Sequence, residues 1–150
     1  MTRTTLKAED VPGLTGLALD ATVAEAVLGH RWFRSRRTGR RCLFSPATPP
    51  PWFDAPASGD EPTVADLADV LPRYSHCARL AMAVFAHTQR RRGWAKLRLE
   101  LDERGVVCVV TAGGLVRPAE VVAESIPEAV CRAAVLFALY AGESCGRLVA

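Results

Sequence analysis

Residues 94–111 read WAKLRLELDERGVVCVVT, and this stretch decides the fold class. Ala95, Leu97, Leu99 and Leu101 alternate with Lys96, Arg98 and Glu100, the two-residue period of a strand with one apolar and one wet face. Asp102, Glu103, Arg104 and Gly105 turn the chain, and VVCVVT returns as a second strand that is apolar on both sides. A strand apolar on both faces needs cover on both, so the pair predicts an antiparallel hairpin in a sheet carrying a helical layer on each side. A third strand is expected around Val121 to Ala123, after Gly113 and Gly114.

Helical patterns flank the hairpin. Upstream, Ser75 stands as an N-cap, and Cys77, Leu80, Ala81, Val84, Phe85 and Thr88 follow at one-face spacing. Arg90, Arg91 and Arg92 then complement the dipole at the C-terminal turn, and Gly93 ends it. Downstream, Ser125 to Glu128 form an S-x-x-E capping box opening a helix that runs to about Tyr140. Arg132 apart, that helix is apolar nearly all round and requires neighbours on more than one side.

Nearer the N-terminus, GLALDATVAEAVLGH carries an apolar stripe of Leu19, Val23 and Val27 with Ala24 and Leu28 beside it, and Gly29 stops it. Next comes RWFRSRRTGRR, residues 31–41, with six arginines in eleven positions. Its WFRS and the following RCLF flank a turn-like Arg37-Thr38-Gly39, which predicts a β-hairpin over 32–44. From Ser45 to Arg73 the composition shifts to Pro46, Pro49, Pro50, Pro51, Pro56, Pro62 and Pro72, an excursion in which TVADLADVL could form a short helix capped by Thr63. The element order gives an α+β fold, a three-layer helix/sheet/helix sandwich with a mainly antiparallel sheet. It reads as a single domain over 1–150, with the Pro-rich excursion at about 45–73.

Composition narrows the functional classes. With 150 residues and 49% hydrophobic content, the chain has enough apolar material for one core. A net charge of +3, from 19 basic and 16 acidic residues, is too balanced for a surface that tracks phosphate throughout, so anion binding must come from local clustering. The 5 cysteines, Cys42, Cys77, Cys108, Cys131 and Cys145, form no CxxC pair, which excludes a local zinc ribbon or redox pair. Cys77, Cys108 and Cys131 lie in apolar patterns and read as small hydrophobes, which points to a cytoplasmic setting. No signal-peptide core and no apolar run of membrane-spanning length are present.

Four segments, in order and spacing, resemble the phage ABA sandwich domain family. They are LDATVAEAVLGHRW (Leu19 to Trp32), RYSHCARLAMAVF (Arg73 to Phe85), WAKLRLELD, and SIPEAVCRAAVLFAL (Ser125 to Leu139). The family pattern reads LDxxVAEKVMGW, then PYSTD before an amphipathic helix, a two-strand hairpin and a TAPxAICRAAL-type helix. His76 and Cys77 replace its Thr and Asp, and the excursion is poorly matched. The resemblance implies the sandwich architecture and a small phage or prophage protein acting inside a bacterial host cell. It assigns no catalytic residue, and its matched positions, Leu19, Val23, Ser75, Trp94, Ser125 and Ala133, are those of a core and its caps.

The leading functional expectation is a non-enzymatic accessory protein that binds a protein partner or its own copies. Trp52 and Phe53, beside three prolines, are aromatic anchors of the kind interfaces use. The alternative is an anion-binding module for nucleic acid or a small signalling nucleotide. It would use Arg34, Arg36, Arg37, Arg40 and Arg41, with Trp32 and Phe33 to stack on bases. Against it, arginines on a two-stranded ribbon alternate, and charge runs are usually solvated faces. Glu25, Asp54, Asp60 and Glu61 stand near enough in sequence to neutralise part of the cluster. His30, His76 and His87 belong to no evident nucleophile, base and acid set, the glycines form no phosphate loop, and no cofactor or metal is expected.

Overall fold

The computed structural model describes residues 4–44, 50–55, 67–92, 95–113, 115, 117–142 and 146–147. In chain order the elements are β1 (Thr4–Thr5), a 3-10 segment (Ala8–Gly13), and α1 (Gly16–Thr22), which runs into a π-helical turn (Val23–Val27). Then come β2 (Arg31–Ser35), β3 (Arg41–Phe44), β4 (Phe53–Asp54), a 3-10 turn (Tyr74–His76) and α2 (Ala78–Arg92). Last are β5 (Ala95–Asp102), β6 (Gly105–Ala112), β7 (Ala119–Ala123), α3 (Ile126–Tyr140) and β8 (Gly146–Arg147). The strands form two three-stranded antiparallel sheets, β5-β6-β7 and β3-β2-β4, and a short β1-β8 pair. Helices pack on sheet, so the fold is an α+β sandwich.

The 94–111 reading holds in register: Leu97, Leu99 and Leu101 stand opposite Val110, Cys108 and Val106, and Asp102 faces Gly105 across the turn. The third strand begins at Ala119, two residues before its expected start. Val106, Cys108 and Val110 share the core with Ala119, Val121 and Ala123 because α3 lies over β6 and β7. On the edge strand that cover gives out: Ala95 is buried and Leu97 half-buried, but Leu99 is 37% and Leu101 79% exposed. Alternation identified the apolar face correctly, but α3 lies over β6 and β7, and among the described residues only α2 packs against β5, so part of that face stays uncovered. On the opposite face Val107 and Val109 are also buried, in register with Glu100 and Arg98.

α3 is the centre of the core. Buried continuously from Ala129 to Ala138, it contacts β6, β7, α1, α2 and the 3-10 and π segments, which answers its all-round apolar pattern. Ser125 caps it, accepting the Glu128 N–H at 3.4 Å. The expected reciprocal half of the capping box is different: the Glu128 carboxylate turns to Arg132, at 2.8 Å, one turn along the helix. α2 buries Ala81, Val84, Phe85 and Thr88 as the spacing predicts. Its cap does not follow the prediction. Ser75 sits in the preceding 3-10 turn, and Cys77 occupies the position before the helix, its carbonyl accepting the Ala81 N–H at 2.9 Å.

In the excursion, Phe53–Asp54 supplies a strand that the prolines concealed, and Leu67 to Leu71 make one tight turn that buries both leucines. The remainder of the expected Thr63-capped helix lies outside the described residues, as do Asp60, Glu61, Gly93, Trp94, Gly114 and Cys145. No helix among the described residues is long and apolar enough to cross a membrane.

Candidate functional site

The arginine segment forms the hairpin its turn residues called for, extended by one residue at its start. Arg31, Trp32, Phe33 and Arg34 stand opposite Phe44, Leu43, Cys42 and Arg41. The connection is closed by Ser35 N–H to the Arg40 carbonyl at 2.9 Å and Gly39 N–H to the Ser35 carbonyl at 2.8 Å, with Gly39 at φ +68°. Ser35 is buried, and its hydroxyl accepts the Arg37 and Thr38 N–H groups, each at 3.3 Å. Such a turn takes glycine at the left-handed position, and fixing it fixes where each arginine points.

Two-residue alternation then divides the hairpin. Trp32 and Leu43 face the core: Trp32 is buried, and its indole N–H donates to Glu25 Oε1 in the π turn at 2.9 Å. Two residues along the same face are Arg34 and Arg41, directly opposed. With Arg40 and Gly39 they line a cleft of about 360 Å³ whose other wall is Asp69 and Val70. Like charges directly opposite each other across a strand pair repel, so the arrangement favours negative charge beside it. Asp69 provides some from the protein itself.

The other predicted arginines turn to the opposite flank. Arg36 pairs with Asp54 at 3.3 Å and donates to the Pro51 carbonyl, while the Arg37 guanidinium sits 4.7 Å from the centre of the Trp52 ring. Trp52 is 40% exposed and Phe53 half-buried. Phe53 meets Phe44 edge-on at 4.8 Å, and Phe44 in turn meets Phe33 at 5.7 Å, giving an aromatic ladder behind the arginine face. The structure therefore brings Arg34, Arg40 and Arg41 together, places Arg36 and Arg37 with Trp52 and Phe53, and commits Trp32 to the core, away from any base it could stack on.

A second polar cluster was not foreseen. Asp20 on α1, buried, accepts the Ser75 N–H at 2.7 Å, and Ser75 Oγ lies 3.0 Å from His76 Nδ1. Burial pushes the Asp20 carboxyl above its ordinary value, against the opposing effect of the Ser75 hydrogen bonds. This is not a nucleophile with its base: Ser75 is only 3% exposed, and the carboxylate binds the serine, not the imidazole. Next to it, a cavity of about 420 Å³ is lined by His76, Arg104, Glu124, Glu128 and Arg132 among others. Arg132 is almost wholly buried, with Nε donating to the Leu14 carbonyl at 2.9 Å, Nη1 to the Val122 carbonyl at 2.9 Å and Nη2 to Glu128. It ties three segments together.

The thiols of Cys108 and Cys131 are pushed up to about 12 by burial, so both stay protonated and inert at neutral pH, the small-hydrophobe role expected of them. Burial, and then the nearby His87, hold the His30 imidazole below its usual value. Among the described residues no group of three or more His, Cys, Asp or Glu could hold a metal ion. Comparison with known proteins adds no likeness: no family model, no curated protein and no solved structure matches the chain.

Proposed function

We propose that this chain is a non-catalytic binding module whose ligand is a small phosphorylated anion held by Arg34, Arg40 and Arg41. The observation that carries the reading is the convergence of those three side chains on one cleft of about 360 Å³. That volume lies within the range of small-molecule sites, roughly 300–1,000 Å³. Guanidinium groups suit the task because their planar N–H pairs match phosphate oxygens two at a time. A long nucleic-acid strand fits less well, since Arg36 and Arg37 are engaged on the other flank and Trp32 is buried. The order of the four sequence motifs supports a phage or prophage origin, with the bacterial cytoplasm as the place of action.

A second reading, a protein partner seated on Trp52, is favoured by one observation: this residue is 40% exposed and its ring is backed by the Arg37 guanidinium at 4.7 Å. Tryptophan and arginine are the residue types that dominate interface energetics.

Isothermal titration with a mononucleotide and with inorganic pyrophosphate tests the first reading. Saturable binding is expected that weakens as salt rises, is lost in the R34A/R40A/R41A variant and tightens in Asp69→Asn. Absence of saturable binding by either probe, or binding that survives the triple substitution, overturns it. W52A leaves this titration unchanged and abolishes only the capture of a protein partner.

A further inference from the structure

β5 is an edge of its sheet among the described residues, eight residues long, and it carries Leu99 and Leu101 exposed at 37% and 79%. Edges of that length are normally shortened, covered or blocked with proline or like charge, because their unpaired backbone groups template further strands. Which residues offer those groups follows from register. Asp102 faces Gly105 across a two-residue turn, so that pair exchanges both of its hydrogen bonds. Alternation then turns the amides of Lys96, Arg98, Glu100 and Asp102 towards β6. Those of Leu97, Leu99 and Leu101 point outwards, where another strand would pair.

The sequence of β5 selects that strand. Lay a second copy antiparallel with Leu99 opposite Leu99, and Leu97 meets Leu101, Arg98 meets Glu100 and Lys96 meets Asp102, each contact occurring twice by symmetry. Every charge meets its opposite, every leucine meets a leucine, and a two-fold axis normal to the sheet keeps both leucine rows on one face. Neighbouring registers that use the same outward amides fail. Centred on Arg98, that guanidinium would face its own copy, and centred on Glu100, that carboxylate would face its own copy with Lys96 against Arg104; one step further, centred on Leu97 or Leu101, Lys96 would face Arg98 or Glu100 would face Asp102.

We propose that the chain forms a two-fold homodimer through β5, joining two β5-β6-β7 sheets into one six-stranded antiparallel sheet. Within one copy Arg98 pairs with Glu100 at 3.0 Å and Arg104 with Asp102 at 2.7 Å. Exposed pairs of this kind contribute little, so trading them for cross-copy partners is not a barrier. The leucine row supplies the driving force, since Leu97, Leu99 and Leu101 of both copies come together along the seam. This surface is separate from the arginine cleft, and neither reading requires the other.

Sedimentation velocity on the full chain over a concentration series tests the dimer. The native protein is expected to sediment as a dimer at tens of micromolar. R98E, which sets one carboxylate against that of Glu100 at two places in the seam, is expected to weaken self-association by roughly tenfold or more. The swapped variant R98E/E100R restores it, and L101K, at a position already 79% exposed, gives a folded monomer. Circular dichroism matching the native spectrum reports that each variant is folded. A monomeric native protein at every concentration, an R98E variant that associates as the native chain does, or a swap that fails to recover the dimer would each overturn the proposal.

Discussion

Both three-stranded sheets are antiparallel and both close a hairpin on a glycine, yet they treat arginine in opposite ways. Beneath α3, one face of β5-β6-β7 abuts a buried arginine whose groups are bound to two carbonyls and a carboxylate. On β3-β2-β4 the arginines are exposed or, at Arg41, half-buried, three of them around a cleft. Burial makes the first arginine a structural cross-link, because a charge removed from water must be fully paired to be tolerated. Exposure leaves the others able to exchange protein partners for a ligand. The number of arginines in a segment therefore says little; the share of each guanidinium that the fold itself uses says much more.

The largest effect expected from breaking this comparison is at Arg132. Arg132→Met leaves the Glu128 carboxylate and the Leu14 and Val122 carbonyls without their donor, and should cost about 3–5 kcal/mol of unfolding free energy by urea titration. A second change, Glu128→Gln, should recover part of that loss. Replacing Arg34, Arg40 and Arg41 together with alanine should move the same titration by about 0.5 kcal/mol or less per site. Equal costs at the two places would erase the distinction.

The two turn glycines sharpen it. Gly105 has φ +122°, and a Cβ there would lie 2.6 Å from the Ala123 carbonyl oxygen, a backbone atom with no room to move. Gly39 has φ +68°, and its Cβ would meet nothing within 4 Å. Gly105→Ala should cost on the order of 3 kcal/mol, from backbone strain and the clash combined. Gly39→Ala should cost only the left-handed conformation, about 1–2 kcal/mol. Thermal unfolding of the two variants side by side reads the difference. It measures how much more tightly the β5–β6 turn is held, against the end of β7, than the one at the arginine tip.

Much of the body was legible because its signals are local. Alternation at 95–101, the turn at 102–105, the glycine at 39 and the serine cap at 125 each act within a few residues. What escaped depends on distance. Ser75 reads as a cap until its N–H is seen on Asp20, 55 residues away in sequence, and Arg132 reads as an interruption until its carbonyl partners appear. Phe53–Asp54 is two residues long and borders prolines, too short for any period to show. The exposure of Leu99 and Leu101 reflects the placement of α3 over β6 and β7 and not over β5, which no pattern within β5 encodes. At the hairpin, alternation along one strand puts Arg34 on the face of Trp32, but that Arg41 shares this face needed the register. That this face runs from core to cleft needed the position of Asp69 and Val70.

A further contrast sets the buried carboxylate of the body against Asp54 and Asp69 beside the hairpin arginines. Asp20 accepts the Ser75 N–H at 2.7 Å, and around it stand His76 and Arg73, which favour its charge, with Tyr74 and Cys131 close by. Burial outweighs these and raises its pKa above 3.8, so the folded state holds a proton at pH values where the unfolded chain has released it. The stabilisation from this group is therefore complete below the unfolded value and is lost as pH rises through the folded one. Asparagine keeps an oxygen to accept from Ser75 while removing the charge, so Asp20→Asn should raise the melting temperature at neutral pH and flatten its decline above pH 4. Asp20→Ala, by contrast, strands a buried N–H and should cost about 1–3 kcal/mol. Melting curves from pH 4 to 8 decide between these outcomes. An asparagine variant less stable than the native chain at pH 7, with the native pH slope intact, would mean that the carboxylate's charge itself holds the Ser75 turn. Asp20 would then resemble Arg132, a buried charge fully used by the fold.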